Sequence, residues 1–409
     1  MKKTGINLEN VKQRNKASIL RLLNKNGPMS RKDIAAEVGL TPASVTLLTN
    51  EMIETGYLRE VGEVQEEKRA GRRKILVSIV YDWKCVLAIS IEKRKTVVSL
   101  CTLDGAPLAG TTLKTETDVA PEAFLSSVAQ RARDLLFDAG KGPGDLLGAG
   151  VCLPGIANRA TGVSKAAYGI WDESVPVAEL LSDALHCPVI LENNIRAFAE
   201  GELLYGLGRA CDDLFLLRWG PGVGSAIVVD KKIHDGLQHR AGEIGHCNIE
   251  PNGLPCRCGR TGCLETRVST DALTEEIRGL FSKEQTPKLY EQFEGDRDRL
   301  IEDALTGLLK EVSSAEELDP PVAEAVEHAV RTLARTFGNV ATILAPEHVA
   351  LFGSMFEGAF VRESFRKACT SFDPSYDAPY IRLAETYKKL NYLGPAAVAI
   401  RTLFLEQPE

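Results

Sequence analysis

The sequence predicts an α/β protein in which two lobes follow a small N-terminal head, and length, apolar spacing and charge support this. The 409 residues are too many for one ordinary hydrophobic core. Residues 17–52 have apolar side chains at helical spacing, whereas strand-like and helical runs alternate from residue 85 onward. Residues 1–80 contain 15 Lys and Arg against 9 Asp and Glu, and the remainder contains 34 against 47. A basic head on an acidic body favours DNA as a partner, although a chance imbalance of surface charge gives the same numbers.

The head carries the signals of three helices. Residues 17–23 have helical apolar spacing, and a Gly-Pro pair follows them. Ser30 and Asp33 have the spacing of a capping box at the start of a second helix. Thr41 is placed to cap a third helix, with Pro42 at its first position, where a missing N–H costs nothing. Two short helices joined by such a tight turn are typical of a helix-turn-helix.

We expect this head to be a winged helix-turn-helix that binds double-stranded operator DNA. The outward face of the third helix would contact base edges. A basic segment between the predicted strands 57–61 and 74–80 would contact phosphates or lie in a narrow minor groove. The predicted DNA-binding residues are Ala43, Ser44, Thr46, Thr49, Asn50, Arg69, Arg72 and Arg73. The alternative is a winged helix that serves only protein contacts.

The acidic body reads as two series of strands and helices. The predicted strands are 85–91, 96–103, 108–113, 148–153, 189–191, 214–218, 225–229 and 349–351, and the predicted helices are 121–139, 177–185 and 322–344. We expect two α/β lobes with a ligand cleft between them. The charged residues 281–325 are expected to form a peripheral helical insertion. The predicted domain limits are 1–80 for the head, 81–194 for the first lobe, completed by a C-terminal helix at about 385–409, and 195–384 for the second lobe.

Four soft ligands lie close together in the second lobe. His246, Cys256, Cys258 and Cys263 have a spacing that suits tetrahedral Zn²⁺, and four protein ligands predict a structural rather than a catalytic ion. The alternative is a cluster of reduced thiols without metal. Among the other cysteines of the ten, six lie in apolar runs and behave as small hydrophobic residues.

The sequence also predicts a cytoplasmic location. The N-terminus is polar and lacks the apolar core of a secretion signal, and no apolar stretch is long enough to cross a bilayer. Clustered cysteines are typical of metal ligands in a reducing compartment. No membrane partner is expected.

The segments on either side of the metal ligands resemble the ROK family of repressors, open reading frames and kinases. Ala241-Gly242-Glu243-Ile244-Gly245-His246 precedes the cysteines, and Gly262-Cys263-Leu264-Glu265 ends the run. The resemblance implies the two-lobed actin-like sugar-kinase fold behind the winged head. It also implies one of two functions, because the family contains both sugar kinases and sugar-responsive DNA-binding repressors.

At positions where the family's kinases carry residues for phosphoryl transfer, this sequence carries different ones. Glu92 stands where the first phosphate loop carries glycine, close to Ser90. Asn194 follows Glu192 and Asn193 where kinases carry the catalytic aspartate, and an amide cannot act as a general base. The second loop, 220–225, keeps its glycines but gains a proline. The resemblance therefore implies a protein that is not an enzyme; the alternative is an active ATP-dependent sugar kinase with a regulatory DNA-binding head.

Sugar contacts of the family are better preserved. The resemblance implies that Asn193, Glu243, His246 and Glu265 bind hydroxyls of a sugar or sugar derivative, with His246 also a metal ligand. A further sugar-contacting segment keeps only Trp171, so the ligand need not be glucose. Two alternatives stay open: the glutamates only orient metal ligands, or the effector is a protein.

Together, these expectations predict that the protein is a transcriptional regulator of carbohydrate-metabolism genes and acts as a repressor. A homodimer or higher homo-oligomer would place two heads on a roughly palindromic operator, and a sugar-like effector would change their spacing.

Overall fold

The computed structural model describes residues 8–64, 74–377 and 379–408, which fold into two compact units. The first unit comprises residues 1–204 with 389–409, and the second comprises residues 205–388. The first unit thus contains the N-terminal head, the predicted first lobe and the C-terminal helix, and it extends ten residues beyond the predicted limit at 194.

Runs of strands and runs of helices follow one another along the chain. The helices are α1 (Leu8–Asn26), α2 (Arg31–Val38), α3 (Pro42–Thr55), α4 (Pro121–Asp138), α5 (Val177–Leu185), α6 (Asn194–Tyr205), α7 (Glu265–Val268), α8 (Thr270–Leu280), α9 (Pro287–Gln292), α10 (Glu302–Glu311), α11 (Pro320–Leu344), α12 (Ala359–Phe372) and α13 (Leu390–Ala399). The strands are β1 (Met29–Ser30), β2 (Leu58–Val64), β3 (Lys74–Ile79), β4 (Cys85–Ile91), β5 (Lys95–Thr102), β6 (Pro107–Lys114), β7 (Leu146–Leu153), β8 (Ile156–Asn158), β9 (Val163–Ala166), β10 (Val189–Asn193), β11 (Leu214–Trp219), β12 (Val223–Val229), β13 (Lys232–Ile233), β14 (His348–Phe352) and β15 (Ile381–Leu383).

The head forms because its local signals agree with one another. The Ser30 hydroxyl accepts a hydrogen bond from the Asp33 amide at 3.2 Å, and Thr41 caps α3 in the same way through the amide of Ser44 at 3.1 Å. Gly39 ends α2 with φ of 69°, a conformation that favours glycine. The sheet order β1-β3-β2 completes a winged helix-turn-helix, as predicted.

An aromatic cluster attaches the head to the rest of the first unit. Tyr57 lies with its ring centroid 5.1 Å from that of Trp83 and 5.9 Å from that of Phe404. Tyr57 and Phe404 are both buried. Phe404 belongs to a π-helical segment, Ile400–Glu406, that continues α13 to the C-terminus. This segment is therefore part of the support of the N-terminal head.

The main sheet of the first unit has the order β10-β7-β4-β5-β6. Its parallel strands β4, β7 and β10 are followed by two antiparallel strands, and α4 and α5 cover an apolar core of Val, Leu and Ile side chains. Helix α13 packs on β4 and β7. This approach needs glycine, because a Cβ at Gly150 would lie 1.9 Å from the carbonyl oxygen of Pro395.

The second unit contains a sheet of order β13-β12-β11-β14-β15. Helices α11 and α12 pack together beside it, and their inward faces contribute to one large core. The expectation that residues 281–325 form a peripheral insertion is wrong, because five of their leucines belong to this core: Leu289, Leu300, Leu305, Leu309 and Leu318. The charged residues of this segment lie on the outer face, and their number in the sequence led to the prediction of a peripheral position.

Candidate functional site

Three cysteines and one histidine converge in the second unit. The possible ligand atoms of His246, Cys256, Cys258 and Cys263 all lie within 4.8 Å of one another. The two sulfurs of Cys258 and Cys263 are 3.6 Å apart, and the Cys256 Sγ lies 3.5 Å from the His246 Nδ1. Around a tetrahedral ion with metal–sulfur bonds of about 2.3 Å, such pairs are separated by roughly 3.5–3.8 Å. The four residues could therefore hold a metal ion.

The loop around this cluster is fixed by close backbone approach. A Cβ at Gly262 would lie 1.7 Å from the carbonyl oxygen of Glu250, and φ at Gly262 is 67°, so only glycine fits this position. An antiparallel bridge joins Asn248 to Cys263, which is fully buried. This bridge brings the last cysteine back beside the histidine.

The thiols differ in acidity because their surroundings differ. Burial raises the pKa of Cys256 and of Cys263. Burial acts in the same direction on Cys258, but hydrogen bonds, first among them that from the Arg260 Nε, outweigh it and lower the pKa of Cys258 to about 7. Metal binding by this set would therefore release protons from at least the two more buried thiols.

Two carboxylates flank the histidine. The His246 Nε2 lies 3.4 Å from Glu243 Oε2, and its Nδ1 lies 3.6 Å from Glu265 Oε1. The Arg257 Nε donates to Glu265 Oε1 at 3.3 Å. A Cβ at Gly222, in the retained glycine loop, would be 3.6 Å from both Arg257 Nη2 and Glu265 Oε2. Three of the four predicted sugar-binding residues thus lie together, beside the glycine loop.

A surface cavity of about 690 Å³ adjoins this group in the second unit. Glu243 and His246 line it together with Ser225, Arg240 and Arg260. Polar groups of both charges face one space of ligand size, which is typical of a small-molecule site.

The fourth predicted sugar-binding residue, Asn193, lies in the first unit at the end of β10. Its Oδ1 accepts hydrogen bonds from the amides of Ile195 at 2.9 Å and Arg196 at 3.3 Å, and its Nδ2 donates to the carbonyl of Gly155 at 2.8 Å. Asn193 therefore caps α6 and fixes a neighbouring loop. Its oxygen is already used by two backbone amides, so a ligand hydroxyl would meet chiefly its amide N–H groups.

A buried set of charges supports this strand end, which we call the ionic cluster: Glu192, Arg196, Arg159, Glu200 and Arg401. Arg196 Nε donates to Glu192 Oε1 at 2.7 Å, and Arg159 Nη1 to Glu200 Oε1 at 3.0 Å, while Arg401 pairs with the other Glu200 oxygen. Burial raises the pKa of Glu192, and its two arginine partners oppose this shift. Sequence reasoning missed the ionic cluster, because members 200 residues apart share no local signal.

Residues 90–94 correspond to the first phosphate loop of the family's kinases, and they carry side chains there, as expected. Ser90 is buried within β4. A Cβ at Gly169 would lie 3.1 Å from the Lys93 Cδ, so the lysine stem lies over this glycine. Glu92 Oε1 accepts a hydrogen bond from Asn194 Nδ2 at 2.9 Å. The two departures from the kinase pattern are thus in direct contact, which the sequence analysis did not anticipate.

The predicted base-reading face of α3 is partly as expected. Ala43, Thr46 and Asn50 are exposed and Ser44 is half-buried. The expectation that Thr49 points outward is wrong: Thr49 is fully buried, and its hydroxyl donates to the Val45 carbonyl at 2.8 Å. Thr49 lies four residues after Val45 and next to Leu48, so it belongs to the buried stripe of α3.

Arg31 of α2 organises this surface. Its guanidinium donates to Thr49 Oγ1 and to Asn50 Oδ1, each at 3.0 Å, and pairs with Glu60 at 2.8 Å. Arg31 was not predicted as a functional residue, although it directly follows the capping Ser30. The predicted wing residues Arg69, Arg72 and Arg73 lie outside the described residues.

Known proteins are similar to this chain both in its N-terminal head and in the body that follows. The ROK family profile matches residues 86–401, and a winged helix-turn-helix DNA-binding profile matches residues 12–59. An N-acetylglucosamine repressor of Escherichia coli is 29% identical over 360 residues, covering 86% of this chain and 83% of the relative. A xylose repressor of Caldicellulosiruptor bescii is 29% identical over 270 residues, covering 66% and 67%.

Solved structures show the same architecture. A ROK family transcriptional regulator, described as a homologue of the Escherichia coli MLC protein, aligns with a TM-score of 0.80 and 22% identity over 98% of both chains. A ROK hexokinase of Thermus thermophilus aligns with a TM-score of 0.59 and 22% identity, covering 77% of this chain and 97% of the other. These likenesses confirm the predicted fold. Within the described residues, no helix combines the length and apolarity needed to span a bilayer.

Proposed function

Because the chain belongs to the ROK family, we propose that it is a DNA-binding transcriptional regulator of carbohydrate-metabolism genes, acting in the cytoplasm as a repressor with a sugar-like effector. One observation carries this proposal: a winged helix-turn-helix and a ROK domain with Asn194 in place of the catalytic aspartate are joined in one chain. The repressor relatives at 29% identity support it.

The proposed DNA-binding residues are Ala43, Ser44, Thr46 and Asn50 on α3, with Arg69, Arg72 and Arg73 in the predicted wing. We leave out Thr49 because it is buried. The α3 residues would read base edges in the major groove, and the arginines would contact phosphates. A homodimer would place two such heads on two half-sites of a palindromic operator.

The proposed effector-binding residues are Glu243, His246 and Glu265 in the second unit and Asn193 in the first. Their chemistry supports this role, since carboxylates accept two hydroxyl hydrogen bonds each and the amide of Asn193 donates. The ion proposed for His246 and the three cysteines is structural Zn²⁺, because four protein ligands fill a tetrahedral site. Such an ion, when bound, would fix the loop that carries Glu265.

A second candidate function is sugar phosphorylation, and one contact favours it. Glu92 places a carboxylate 2.9 Å from Asn194, so a base is present close to the position where kinases have theirs. Incubation with Mg-ATP and a panel of hexoses separates the two candidates. The regulator proposal predicts no turnover above the ATPase background; steady sugar phosphorylation that is lost in Glu92→Gln would establish the kinase instead.

Selection of genomic fragments by the purified protein tests the regulator proposal directly. We expect enrichment of a roughly palindromic site, and weaker binding to it when N-acetylglucosamine, xylose or another sugar of a panel is added. By reciprocity, the same DNA must weaken binding of that sugar by the same factor. Failure to enrich any sequence from genomic DNA would refute the proposal.

A further inference from the structure

Leu47 is a large apolar side chain on the outward face of α3. It is 63% exposed, more than any other leucine, isoleucine or valine that the structure describes in the head. It lies four residues after Ala43 and three before Asn50, so these side chains share one face of the helix. The opposite side of α3 is buried in the core of the head. The outward face therefore presents an apolar side chain among its exposed residues.

The polar side chains around Leu47 make hydrogen bonds within the head. The Ser44 hydroxyl lies 2.8 Å from the hydroxyl of the residue that caps α3, and the Thr46 hydroxyl donates to a carbonyl one turn earlier at 2.7 Å. The Asn50 Oδ1 accepts from Arg31 at 3.0 Å. Part of the hydrogen-bonding capacity of this face is thus used inside the protein, whereas Leu47 has only apolar surface to offer a partner.

The major groove limits what a leucine can contact there. The second helix of a helix-turn-helix enters this groove, where the base edges carry hydrogen-bond donors and acceptors and the C5-methyl group of thymine is the apolar feature. Apolar surface buried against that methyl group is stabilising, whereas a leucine placed against a donor or an acceptor removes water without replacing the hydrogen bond. A single exposed leucine is common on protein surfaces, but Leu47 lies on the face that would enter the groove.

We propose that Leu47 is a specificity-determining residue that contacts the C5-methyl group of one thymine in each operator half-site. The inference rests on the proposed DNA-binding function and adds a base contact to it. The partner is double-stranded DNA, which the basic charge of residues 1–80 favours. Thymine is preferred at this position because it carries a methyl group that the other three bases lack.

Replacement of thymine by deoxyuridine tests the contact, because it removes only the methyl group. The DNA is the palindromic site that the full-length wild-type protein enriches from genomic fragments, and each symmetric pair of thymines in its two half-sites is replaced in turn. Fluorescence-anisotropy titration measures the affinity. We expect one of these paired replacements to weaken wild-type binding about 10- to 20-fold, which corresponds to roughly 4-fold for each methyl group.

Leu47→Ala should abolish this preference. Alanine is too short to reach the methyl group, so the thymine and deoxyuridine sites should bind this variant with affinities within about 2-fold of each other. Leu108→Ala removes an exposed leucine from β6, outside the head; it is the matched control and should show the wild-type preference. The unfolding midpoint of Leu47→Ala should equal that of the wild type, because the substituted side chain is exposed.

The outcomes separate this inference from the function on which it rests. If no site is enriched from genomic DNA, the regulator proposal is wrong and the inference falls with it. If a site is enriched but no deoxyuridine replacement weakens binding, the regulator proposal stands and the thymine contact is overturned. If one replacement weakens binding of the wild type and of Leu47→Ala by the same factor, a different side chain contacts that methyl group and the assignment of Leu47 is overturned.

Discussion

The ionic cluster of the first unit and the Cys₃His cluster of the second both bury polar groups beside predicted effector residues, but they are built differently. The ionic cluster collects residues from three distant parts of the chain, with Arg401 about 200 positions from its partner Glu200. The Cys₃His cluster lies within residues 246–263. In the first, each carboxylate is paired with arginines, whereas the thiols of the second could hold a metal ion. The first unit should therefore be sensitive to mutation and the second to metal.

The largest expected effect is metal removal. Chelation, or Cys263→Ser, should lower the unfolding midpoint of the second unit by about 10 °C, because a structural ion contributes folding free energy of several kcal/mol. Calorimetry of the protein before and after chelation measures this. Cys247→Ala, at a cysteine beside the cluster but outside it, is the control and should still respond to chelator. An unchanged midpoint after complete metal removal would contradict the assignment.

The second largest effect is expected from a substitution that disrupts the ionic cluster. Glu200→Gln should destabilise the protein by about 3–5 kcal/mol, because it leaves two half-buried arginines, Arg159 and Arg401, without their shared, buried carboxylate. Urea unfolding measures the change. Glu363→Gln removes an exposed partner of Arg366 and should have little effect. A loss below about 1 kcal/mol for Glu200→Gln would show that the ionic cluster behaves like a surface pair.

Substitutions on the exposed face of α3 that is proposed to contact bases should change DNA binding and leave the stability of the protein unchanged. Asn50→Ala should cost about 1–3 kcal/mol of discrimination between the enriched operator and a site with a changed base pair. Competition binding with the two sites measures it, and the exposed Glu54→Ala on the same helix is the control. Equal loss for operator and random DNA would mean that Asn50 contacts only the backbone.

The smallest expected effect belongs to the predicted wing. Arg72→Ala should weaken binding to all DNA sequences by a similar factor and reduce the slope of log affinity against log salt by about 1. Titrations at several salt concentrations measure this slope. Both clusters should keep wild-type stability, since Arg72 is a member of neither. The wing assignment fails if the affinity for random DNA does not change.

Local features of the fold were predictable because their signals lie within a few residues. Ser30 and Asp33 are three positions apart, and the caps formed as expected at Ser30 and Thr41. Periodicity located every strand of the main sheet of the first unit, three strands of the second (β11, β12 and β14) and the long helix α11, but not β13 or β15. It failed at residues 281–325, because charge on one helix face hid the leucines that face the core.

Capping, periodicity and ligand spacing act over short distances, so they were enough to predict the winged head, the two α/β lobes and the four clustered metal-ligand candidates. Folding was needed to show that Thr49 is buried, that Arg401 completes the ionic cluster and that Glu92 contacts Asn194. One cause accounts for all three. The sequence does not show whether a charged or polar side chain faces water or a partner 100 residues away. The packing of the folded chain determines which of the two environments it has.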